Sequence, residues 1–566
     1  MHLPTGRLRY ISVLFGFVLL SGILILRAFD LHVLNKDFLQ SEGDQRSLRS
    51  LPVIAHRGMI MDRYGAPLAV STPVDSVWAH PRQFEASKAQ VTALARLLDT
   101  TPQHIKDLIH SRADKEFVYL KRHGTPEMAK KVMALDIAGV SLLREYRRYY
   151  PDGEIFSHVL GLTNIDDNGQ EGLELGFDAT LRGSNGSQLV MKDRLGRIIQ
   201  HVDLKKPPRP GKDLVVSLDR RLQYLAYREL KRAVFTHKAK SASAVILDVQ
   251  TGEVLAMVNQ PSLNPNNREE YESYRSRNRA VTDNFEPGST VKPFTIAAAL
   301  ESGRFKPESI IDTSPGLLRV GHYTVRDIHD YGQLNLLGVI QKSSNVAATK
   351  IALTIPPASL FTMHQRIGFG EYTNSGFPGE VYGEIVQARY SRDVERATLS
   401  YGYGLSVTTL QLARAYSVLA ADGKRKPVSF VLQSSPVAGE QVIDSKITRQ
   451  VRTMLESVIT DGGTGTKANI PGYWVAGKTG TVKKLGPGGY TDDKYVSVFA
   501  GMAPARQPRL VMVIAIHEPK GKAYYGGEVA APVFASVMSG ALRLLDIPPD
   551  VIPETKTHLA YLEGRP

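Results

Sequence analysis

Ser289 and Lys292 lie three residues apart, a spacing at which the lysine amine could activate the serine hydroxyl as a nucleophile. A hydroxyl beside an amine is an activated-nucleophile arrangement, because a neutral amine can accept the hydroxyl proton. The same spacing also arises where a capping serine is followed by a solvated lysine. The rest of the chain must therefore decide between a catalytic pair and a structural one.

The residues around this pair predict where a helix begins. Pro293 is tolerated only in the first turn of a helix, because proline lacks an N–H and clashes with the carbonyl four residues back. The helix therefore begins near Ser289, continues through the apolar residues 297–300 and ends near Gly303, a natural C-terminal breaker. Ser289 then lies one turn from Lys292, at the positive end of the helix dipole.

Two further polar segments lie where the chain is predicted to change structure. Residues 343–345, Ser-Ser-Asn, precede an apolar run and predict a loop that enters a helix. Residues 478–481, Lys-Thr-Gly-Thr, lie within the strand-like run 473–482. Glycine inside a strand often marks close approach of another backbone or a ligand. A capping serine pair and a polar edge strand are the structural alternatives.

Residues 472–479 also match the phosphate-binding pattern G-x-x-x-x-G-K-[ST] letter for letter. That pattern binds phosphate only as a loop between a buried strand and a helix. Here the intervening residues are Tyr, Trp, Val and Ala, which are typical of a strand. Residues 485–489, Leu-Gly-Pro-Gly-Gly, cannot start a helix. The context argues against nucleotide binding.

Composition limits the classes of function. The 566 residues suggest two to four domains, and the absence of cysteine excludes disulfides, thiolate catalysis and cysteine metal sites. The formal charge of +14 is compatible with nucleic acid, anionic lipid or an acidic polymer as partner. Basic residues are spread along the whole chain and only 8% of residues are aromatic, which argues against nucleic-acid binding.

The N-terminus predicts a membrane anchor. Residues 10–26 are 17 residues without charge, preceded by Arg7 and Arg9, and this length just spans a bilayer. A cleaved signal peptide is the alternative, but no small-x-small pair follows the apolar run. We therefore predict a tail at 1–9 and an uncleaved transmembrane anchor at 10–28.

Two larger domains are predicted after the anchor. Residues 29–217 contain helices, short strands and loops without a cluster of catalytic residue types, and are predicted to be a structural or docking module. Residues 218–546 open with a hairpin, continue with helices and end with three strand-like runs, which predicts an α+β domain with helices packed on one sheet. Residues 547–566 are predicted to be a surface or loose tail.

The three polar segments occur in the order S-x-x-K, S-x-N, K-T-G, and this set resembles the penicillin-recognising serine transpeptidases and β-lactamases. The resemblance covers nearly the whole chain. The parts of residues 29–217 that resemble the pedestal of class B penicillin-binding proteins are Arg57-Gly58…Asp62-Arg63…Gly65…Leu68-Ala69 and Tyr150-Pro151…Gly161…Gly169…Gly172…Glu174. The parts that resemble the division-type branch (FtsI, penicillin-binding protein 3) are Glu286-Pro287-Gly288-Ser289 and Tyr401-Gly402-Tyr403-Gly404.

This resemblance implies a fold and a location. The fold is α+β: a penicillin-binding/β-lactamase-like transpeptidase domain, with a five-stranded mixed-order antiparallel sheet and helices on both faces. It stands on an elongated α/β pedestal with an N-terminal transmembrane helix. The implied location is the inner membrane, with the N-terminus cytoplasmic and the catalytic domain periplasmic.

The resemblance also implies an activity, D,D-transpeptidation of the stem peptides of septal peptidoglycan during cell division, with inhibition by β-lactams. It implies no cofactor and no metal. Implied partners are the stem peptides, β-lactams bound covalently to Ser289, an FtsW-like membrane glycan polymerase and other division proteins. No glycosyltransferase region precedes the transpeptidase, which disfavours a bifunctional class A enzyme.

By this resemblance five residues take catalytic roles: Ser289, Lys292, Ser343, Asn345 and, on the third segment, Lys478. Ser289 attacks the carbonyl of the penultimate D-alanine, and Lys292 is the neutral base that accepts its proton. Ser343 relays a proton to the leaving amine, while Asn345 orients Lys292 and the substrate amide.

The third segment is implied to hold the substrate. Lys478 supplies positive potential, and Thr479 and Thr481 bind the terminal carboxylate through their hydroxyls. Gly480 belongs to the same substrate-binding strand, whose edge the substrate joins as an extra strand. The backbone N–H groups of Ser289 and Thr481 form the oxyanion hole.

Other activities of the same fold remain as alternatives. A hydrolytic β-lactamase needs an E-x-x-x-N element, and residues 371–374, Glu-Tyr-Thr-Asn, are one residue too short. The second motif is S-S-N where those hydrolases have S-D-N, and both points favour slow deacylation. A D,D-carboxypeptidase has the same motifs, and a catalytically silent β-lactam sensor or division scaffold can keep the fold.

Overall fold

The computed structural model describes residues 5–192, 198–486 and 489–551. It divides into two compact units, described separately below. The first comprises Met1–Arg57, Pro73–Arg147 and Arg182–Gly211, and the second comprises Gly58–Thr72, Arg148–Leu181 and Lys212–Pro566. The start of the predicted N-terminal tail and residues 552–566 of the predicted C-terminal tail lie outside the described residues.

The strands are numbered in chain order. They are β1 Leu48–Val53, β2 Ile60–Met61, β3 Pro67–Ala79, β4 Val118–Gly124, β5 Val140–Tyr149, β6 Gly186–Lys192, β7 Ile198–Lys206, β8 Leu214–Val215, β9 Ser241–Asp248, β10 Val254–Gln260, β11 Ile311–Asp312, β12 Leu317–Val320, β13 Tyr323–Arg326, β14 Gln333–Leu334, β15 Lys424–Arg425, β16 Glu440–Gln441, β17 Ala476–Gly486, β18 Gly489–Ala503 and β19 Leu510–His517.

The α-helices are numbered in the same way. They are α1 Thr5–Phe29, α2 Lys36–Ser47, α3 Lys88–Leu97, α4 Pro102–Ser111, α5 Pro126–Met133, α6 Ser157–Leu160, α7 Gly172–Gly176, α8 Asp178–Leu181, α9 Arg220–Thr236, α10 Ser273–Ser276, α11 Arg279–Thr282, α12 Lys292–Glu301, α13 Leu336–Lys342, α14 Asn345–Thr354, α15 Pro357–Arg366, α16 Gln387–Tyr390, α17 Asp393–Leu399, α18 Thr409–Ala420, α19 Ser445–Glu456, α20 Gly526–Val529 and α21 Ala531–Leu544.

The first unit begins with a helix that is long and apolar enough to cross a membrane. The segment Arg7–Leu34 has a mean hydropathy of 2.3, and none of its apolar window is buried inside the protein. An apolar helix of this length exposed to water would be unfavourable, so its length and composition suit a bilayer. The predicted anchor at 10–28 lies within this segment.

The rest of the first unit contains a small sheet packed on helices. β3 pairs with both β4 and β5, and one face of this sheet shares a hydrophobic core with α3, α4 and α5. The buried core residues are Val77, Ala79, Leu94, Ala95, Leu98, Ile105, Val132, Ile137 and Val140. The helices begin where capping residues predict, since Ser87, Thr101 and Thr125 each accept a hydrogen bond from the third helical N–H.

The second unit is organised around a five-stranded antiparallel sheet. The strand order is β10-β9-β19-β18-β17. The predicted hairpin is confirmed as β9 and β10, with Ala244 opposite Val258. β19 lies between β9 and β18, with Val513 opposite Val245 on one side and Ala500 on the other.

Helices cover both faces of this sheet. β9 and β19 are buried along nearly their whole length, which requires a cover on each side. α9 and α21 pack on each other and on one side of the sheet, while α11 and α18 contact β9 separately from them. The predicted α+β fold, with helices on both faces of an antiparallel sheet, is confirmed.

A buried ion pair lies elsewhere in the second unit. Arg148 and Glu174 are both fully buried and are 2.6 Å apart, and Arg148 also donates to the Gly58 carbonyl. Arg63 contacts the Glu253 carboxylate at 3.3 Å and the Ser217 carbonyl. A buried charge is tolerated when it is paired and hydrogen-bonded. The Arg148 contacts therefore hold segments 58–72 and 148–181 together, and the Arg63 contacts hold segment 58–72 on the rest of the unit.

Candidate active site

The segment that carries Ser289 is a short 3-10 turn followed by a buried helix. The turn is Gly288–Val291, and α12 begins at Lys292 with Pro293 in its first turn. The helix therefore begins where the proline predicts. Ser289 is partly exposed, whereas Lys292 is completely buried.

The turn is held by the segment 401–404. The Gly288 N–H donates to the Gly402 carbonyl at 3.1 Å, and the Gly404 N–H donates to the Glu286 carboxylate at 2.7 Å. A Cβ on Gly402 would lie 2.1 Å from the Gly288 carbonyl oxygen, so only glycine fits there. The two stretches that resemble the division-type branch are thus partners in space, and together they fix the position of Ser289.

The Lys292 amine is hydrogen-bonded to the second polar segment. Its Nζ donates to the Ser343 carbonyl at 2.5 Å, to Ser343 Oγ at 3.2 Å and to Asn345 Oδ1 at 2.8 Å. Burial lowers the pKa of Lys292 from its ordinary 10.5 to about 7, against an opposing effect of the Asp327 carboxylate. A substantial fraction of Lys292 is therefore a neutral amine near neutral pH.

The second segment is a tight link between two helices. Ser343 ends α13 in the left-handed region at φ 59°, and Ser344 caps α14 by accepting the Ala347 N–H at 2.9 Å. This capping is the structural alternative that the sequence left open for one of the two serines. The other serine, Ser343, is the one that contacts Lys292.

Asp327 is a residue of this site that sequence reasoning missed. Its carboxylate accepts hydrogen bonds from Ser344 Oγ at 2.5 Å and from the backbone N–H groups of Asn345 and Val346 at 2.5 and 3.1 Å. The preceding carbonyl, of Arg326, accepts from Asn345 Nδ2 at 3.1 Å. Nothing in the local sequence signals this role, because the contact joins the end of a short hairpin to a helix start 18 residues later.

The third segment lies on β17, the edge strand of the sheet. Lys478 is completely buried, and its Nζ donates to the Thr479 carbonyl at 3.1 Å. Burial lowers the pKa of Lys478 well below its ordinary value, and repulsion from Lys292 acts in the same direction. Lys478 thus lies within electrostatic range of Lys292 and has no anion beside it among the described residues.

β17 packs directly against the serine turn. A Cβ on Gly480 would lie 3.0 Å from Thr290 Cγ2 and 3.1 Å from the Pro287 carbonyl oxygen. This close contact is the reason for a glycine inside the strand, as its position predicted. The serine turn therefore meets both polar segments, through Lys292 on one side and through Gly480 on the other.

Two more residues that the sequence did not reveal support β17. Thr464 Oγ1 lies 2.7 Å from Thr479 Oγ1, and the Gly526 N–H donates to Thr481 Oγ1 at 2.9 Å. A Cβ on Gly526 would lie 2.4 Å from the Gly480 carbonyl oxygen, so the pair Gly526-Gly527 is a signal of close packing that could have been noticed. Both hydroxyls of the Thr-Gly-Thr segment are thereby positioned.

Ser289 Oγ and Lys292 Nζ do not form a hydrogen bond with each other in the described structure, where Nζ donates instead to residues 343 and 345. Hydrogen bonds between a nucleophile and its base are often long without a bound substrate. No group of three His, Asp or Glu among the described residues could hold a metal ion.

Two parts of this chain match known protein domains. Residues 242–539 match the penicillin-binding protein transpeptidase domain, and residues 52–216 match the penicillin-binding protein dimerisation domain. The peptidoglycan D,D-transpeptidase FtsI of Escherichia coli K12 is 45% identical over 96% of this chain and 92% of its own length. The probable peptidoglycan D,D-transpeptidase PbpC of Pseudomonas aeruginosa is 41% identical over 97% of each chain.

A solved structure gives the same assignment. The transpeptidase domain of penicillin-binding protein 3 from Burkholderia pseudomallei is 42% identical, covers 60% of this chain and 98% of its own, and superposes with a TM-score of 0.55. The similarity extends over nearly the whole sequence and includes both matched domains. The chain belongs to the penicillin-binding protein transpeptidase family.

Proposed function

We propose that this protein is a peptidoglycan D,D-transpeptidase that cross-links stem peptides through a serine acyl-enzyme and is inhibited by β-lactams. The main support for this proposal is the environment of Lys292. A completely buried lysine, one turn from Ser289 and bonded to Ser343 and Asn345, has a pKa of about 7. The names and domains of the relatives support the same activity.

In the first half-reaction, Ser289 Oγ attacks the carbonyl carbon of the penultimate D-alanine. The hydroxyl proton passes to the neutral amine of Lys292 as the Oγ–C bond forms. The C–N bond to the terminal D-alanine then breaks, and its nitrogen receives a proton by way of Ser343. Asn345 holds Lys292 in place through its Oδ1.

The β17 segment recognises the donor peptide. Lys478 is buried without an anion beside it in the described structure, so a bound carboxylate would supply the missing partner and raise its pKa again. Thr479 and Thr481 present hydroxyls to the same carboxylate, and Gly480 allows the strand to lie close to the serine turn. The N–H groups of Ser289 and Thr481 are proposed to bind the oxyanion, at about 3 kcal/mol for each donor.

In the second half-reaction, the amine of a neighbouring stem peptide attacks the ester carbon and Ser289 recovers its proton. Hydrolysis of the ester by water must be slower than attack by the amine for cross-linking to dominate. Glu371, the carboxylate of the incomplete E-x-x-x-N pattern, contacts Arg425 at 3.2 Å. Its engagement in an ion pair supports a transpeptidase over a β-lactamase.

Labelling with a fluorescent penicillin tests the proposal. The full-length protein should form a stable covalent adduct that peptide mapping assigns to Ser289, and Ser289→Ala should abolish it. Ser302→Ala is a matched control, because Ser302 ends the same helix and donates only to the Ala299 carbonyl. Labelling of Ser289→Ala, or mapping to another residue, would contradict the proposal.

Turnover separates the enzyme from its alternatives. A transpeptidase should transfer the acyl group from a thioester or stem peptide to a D-amino acid acceptor, whereas a carboxypeptidase would mainly hydrolyse it. A silent sensor would label without turnover, and a pure scaffold would not label.

The location and partners are proposed from the same arguments. The apolar segment Arg7–Leu34 supports a membrane anchor. The inner membrane, the cytoplasmic N-terminus and the periplasmic catalytic domain are proposed from the activity, because the stem peptides lie in the periplasm. An FtsW-like membrane glycan polymerase and division proteins are proposed partners. Loss of polymerase stimulation on substitution of Arg57 or Arg63, with penicillin labelling retained as the check on folding, would test the polymerase contact.

A further inference from the structure

The first unit contains a cavity that lies far in sequence from the three polar segments. Its volume is about 510 Å³, and its lining includes Trp78, His80, Gln83, Met133, Asp136 and Ser141. A volume of this size is typical of sites for small molecules. The proposed transpeptidase reaction leaves the cavity without a role.

An aromatic cluster adjoins the cavity through Trp78. The indole of Trp78 stacks on the ring of Phe117 at 4.7 Å with an angle of 27°. Phe117 in turn meets Tyr119 edge to face at 4.7 Å. Phe117 is 40% exposed although it is wholly apolar, so the cluster is a surface feature and not part of the core.

The cluster is rigid. Tyr119 lies opposite Trp78 in the β3–β4 register, and its hydroxyl donates to the Glu145 carboxylate at 3.3 Å. The Arg122 guanidinium lies 4.7 Å from the Tyr119 ring centre and is bonded to the same carboxylate. Because these partners fix the rings, the protein would lose little conformational entropy when a ligand binds.

The polar wall of the cavity is also fixed by the backbone. The His80 N–H donates to the Gly139 carbonyl at 2.8 Å. Gly139 has φ +78°, and a Cβ there would lie 2.7 Å from the Gln83 carbonyl oxygen. The backbone at Gly139 is therefore in direct contact with the backbone at Gln83. His80 Nδ1 is buried and has no hydrogen-bond partner among the described residues. A buried unsatisfied nitrogen in a cavity wall is a group that a ligand hydroxyl could satisfy.

We propose that this cavity binds an N-acetylated saccharide of a glycan strand. A pyranose ring has an apolar C–H face and an edge of hydroxyl and acetamide groups, which match an aromatic platform and a wall of donors and acceptors respectively. The side chains of His80, Gln83, Asp136 and Ser141 offer both donors and acceptors. The choice of an N-acetylated sugar rests on the proposed function, whose substrate is carried on such strands.

A protein segment is the alternative occupant. The centre of a protein interface is mainly apolar, whereas about half of the residues that line this cavity are polar or charged, beside Trp78 and aliphatic residues such as Val132 and Ile137. These polar and charged residues are His80, Arg82, Gln83, Glu85, Asp136 and Ser141. The chemistry of the lining therefore favours a sugar.

Tryptophan fluorescence tests the proposal directly, because the chain has only two tryptophans, Trp78 and Trp474. Trp474→Phe leaves Trp78 as the sole indole of the full-length protein in detergent. Chitotetraose should shift the Trp78 emission to the blue and saturate, since the sugar excludes water from the ring. Maltotetraose, which lacks acetamide groups, should give a much weaker response. No saturable change, or equal responses to the two sugars, would overturn the proposal.

Affinity for immobilised chitotetraose gives an independent measurement. Trp78→Ala should weaken binding roughly tenfold or more, as for an aromatic residue at the centre of a contact. Phe235→Ala is the control, because Phe235 is an 85% exposed aromatic residue on α9 outside the cavity, and binding should be unchanged. Retention of wild-type affinity by Trp78→Ala would contradict the proposal.

Penicillin labelling of the same variants reports folding and the proposed function separately. Trp78→Ala should label as the wild type does. If that variant does not fold, Gln83→Ala replaces it, and normal labelling with weakened chitotetraose binding is then the expected result. Failure of sugar binding with intact labelling would overturn only the saccharide site, whereas failure of labelling in the wild type would overturn the proposed function and with it the reason for choosing an N-acetylated sugar.

Discussion

Two buried lysines in one unit have opposite surroundings. Lys292 is enclosed by three oxygen acceptors from Ser343 and Asn345, with the Asp327 carboxylate close enough to raise its pKa. Lys478 donates only to Thr479, through the carbonyl at 3.1 Å and the hydroxyl at 3.4 Å. Both are completely buried, so burial alone does not distinguish them.

The difference indicates different tasks. Lys292 is held in one position by its acceptors and has a pKa of about 7, which suits a group that takes a proton and gives it back. Burial disfavours the charged form of Lys478, which has no anion beside it in the described structure. These surroundings suit a residue that pairs with a carboxylate of the substrate. Substitutions can test whether the two lysines separate in this way.

The largest effect is expected for Lys292→Met, which keeps the apolar stem and removes the amine. Loss of a general base should slow acylation by penicillin about a thousandfold at pH 7, with unchanged thermal stability or a small gain. Lys350→Met is the control, because Lys350 donates to the Asp312 carbonyl away from Ser289 and should acylate normally. Acylation of Lys292→Met within tenfold of the wild type would show that Lys292 is not the base.

A smaller and more selective effect is expected for Lys478→Met. Loss of the cation should weaken acylation by substrates with a free carboxylate about thirtyfold, as for one partner of a buried charge pair. Analogues with an amide in place of the carboxylate should lose much less. The measurement is the second-order acylation rate for each matched pair of substrates, and an equal loss for both would remove the proposed division of tasks.

Asp327→Asn should change the function of Lys292 and leave that of Lys478 unchanged. We expect acylation to fall about tenfold, because hydrogen bonds from Ser344, Asn345 and Val346 to a charged acceptor are weakened. The Asp327 charge raises the pKa of Lys292, so its removal should lower that pKa and move the acid limb of the pH–rate profile to lower pH. A limb that moves to higher pH would contradict the assignment.

The smallest effect is expected for Thr464→Val on the Lys478 side. This change removes the 2.7 Å hydrogen bond to Thr479 Oγ1 at nearly constant volume. Loss of about 1 kcal/mol corresponds to roughly a fivefold weaker binding of the carboxylate, with little change in the acylation rate at saturation. Thr460→Val is a suitable control, since Thr460 donates to the Ser457 carbonyl within its own turn.

The sequence predicted those features of the site that depend on neighbouring residues in the chain. Pro293 indicated the helix start, and Gly480 indicated a close approach in a strand, and both are confirmed. The extent of β17 was less accurate, because the run predicted from 473 begins at Ala476. Tyr473 instead donates from its hydroxyl to the Ile547 carbonyl, near the end of the described chain.

Contacts between distant segments could not be predicted from local rules. β19 pairs with β9, which lies far away in the sequence, so its position between β9 and β18 could not be predicted from the composition of the strand itself. Asp327 resembles any surface aspartate in the sequence, and only the folded chain brings it to the start of α14. The roles assigned to the individual site residues stay predictions until the substitutions above are measured.

The central claim is that Lys292 is a neutral base beside Ser289 at physiological pH. The pH dependence of the second-order acylation rate by penicillin tests it most directly, because this rate reports the ionisation of the free protein. We expect a rate that rises through an apparent pKa of about 7, and we expect this acid limb to disappear in Lys292→Met. A rate that continues to rise towards the ordinary lysine value of 10.5, or a limb that persists in Lys292→Met, would contradict it.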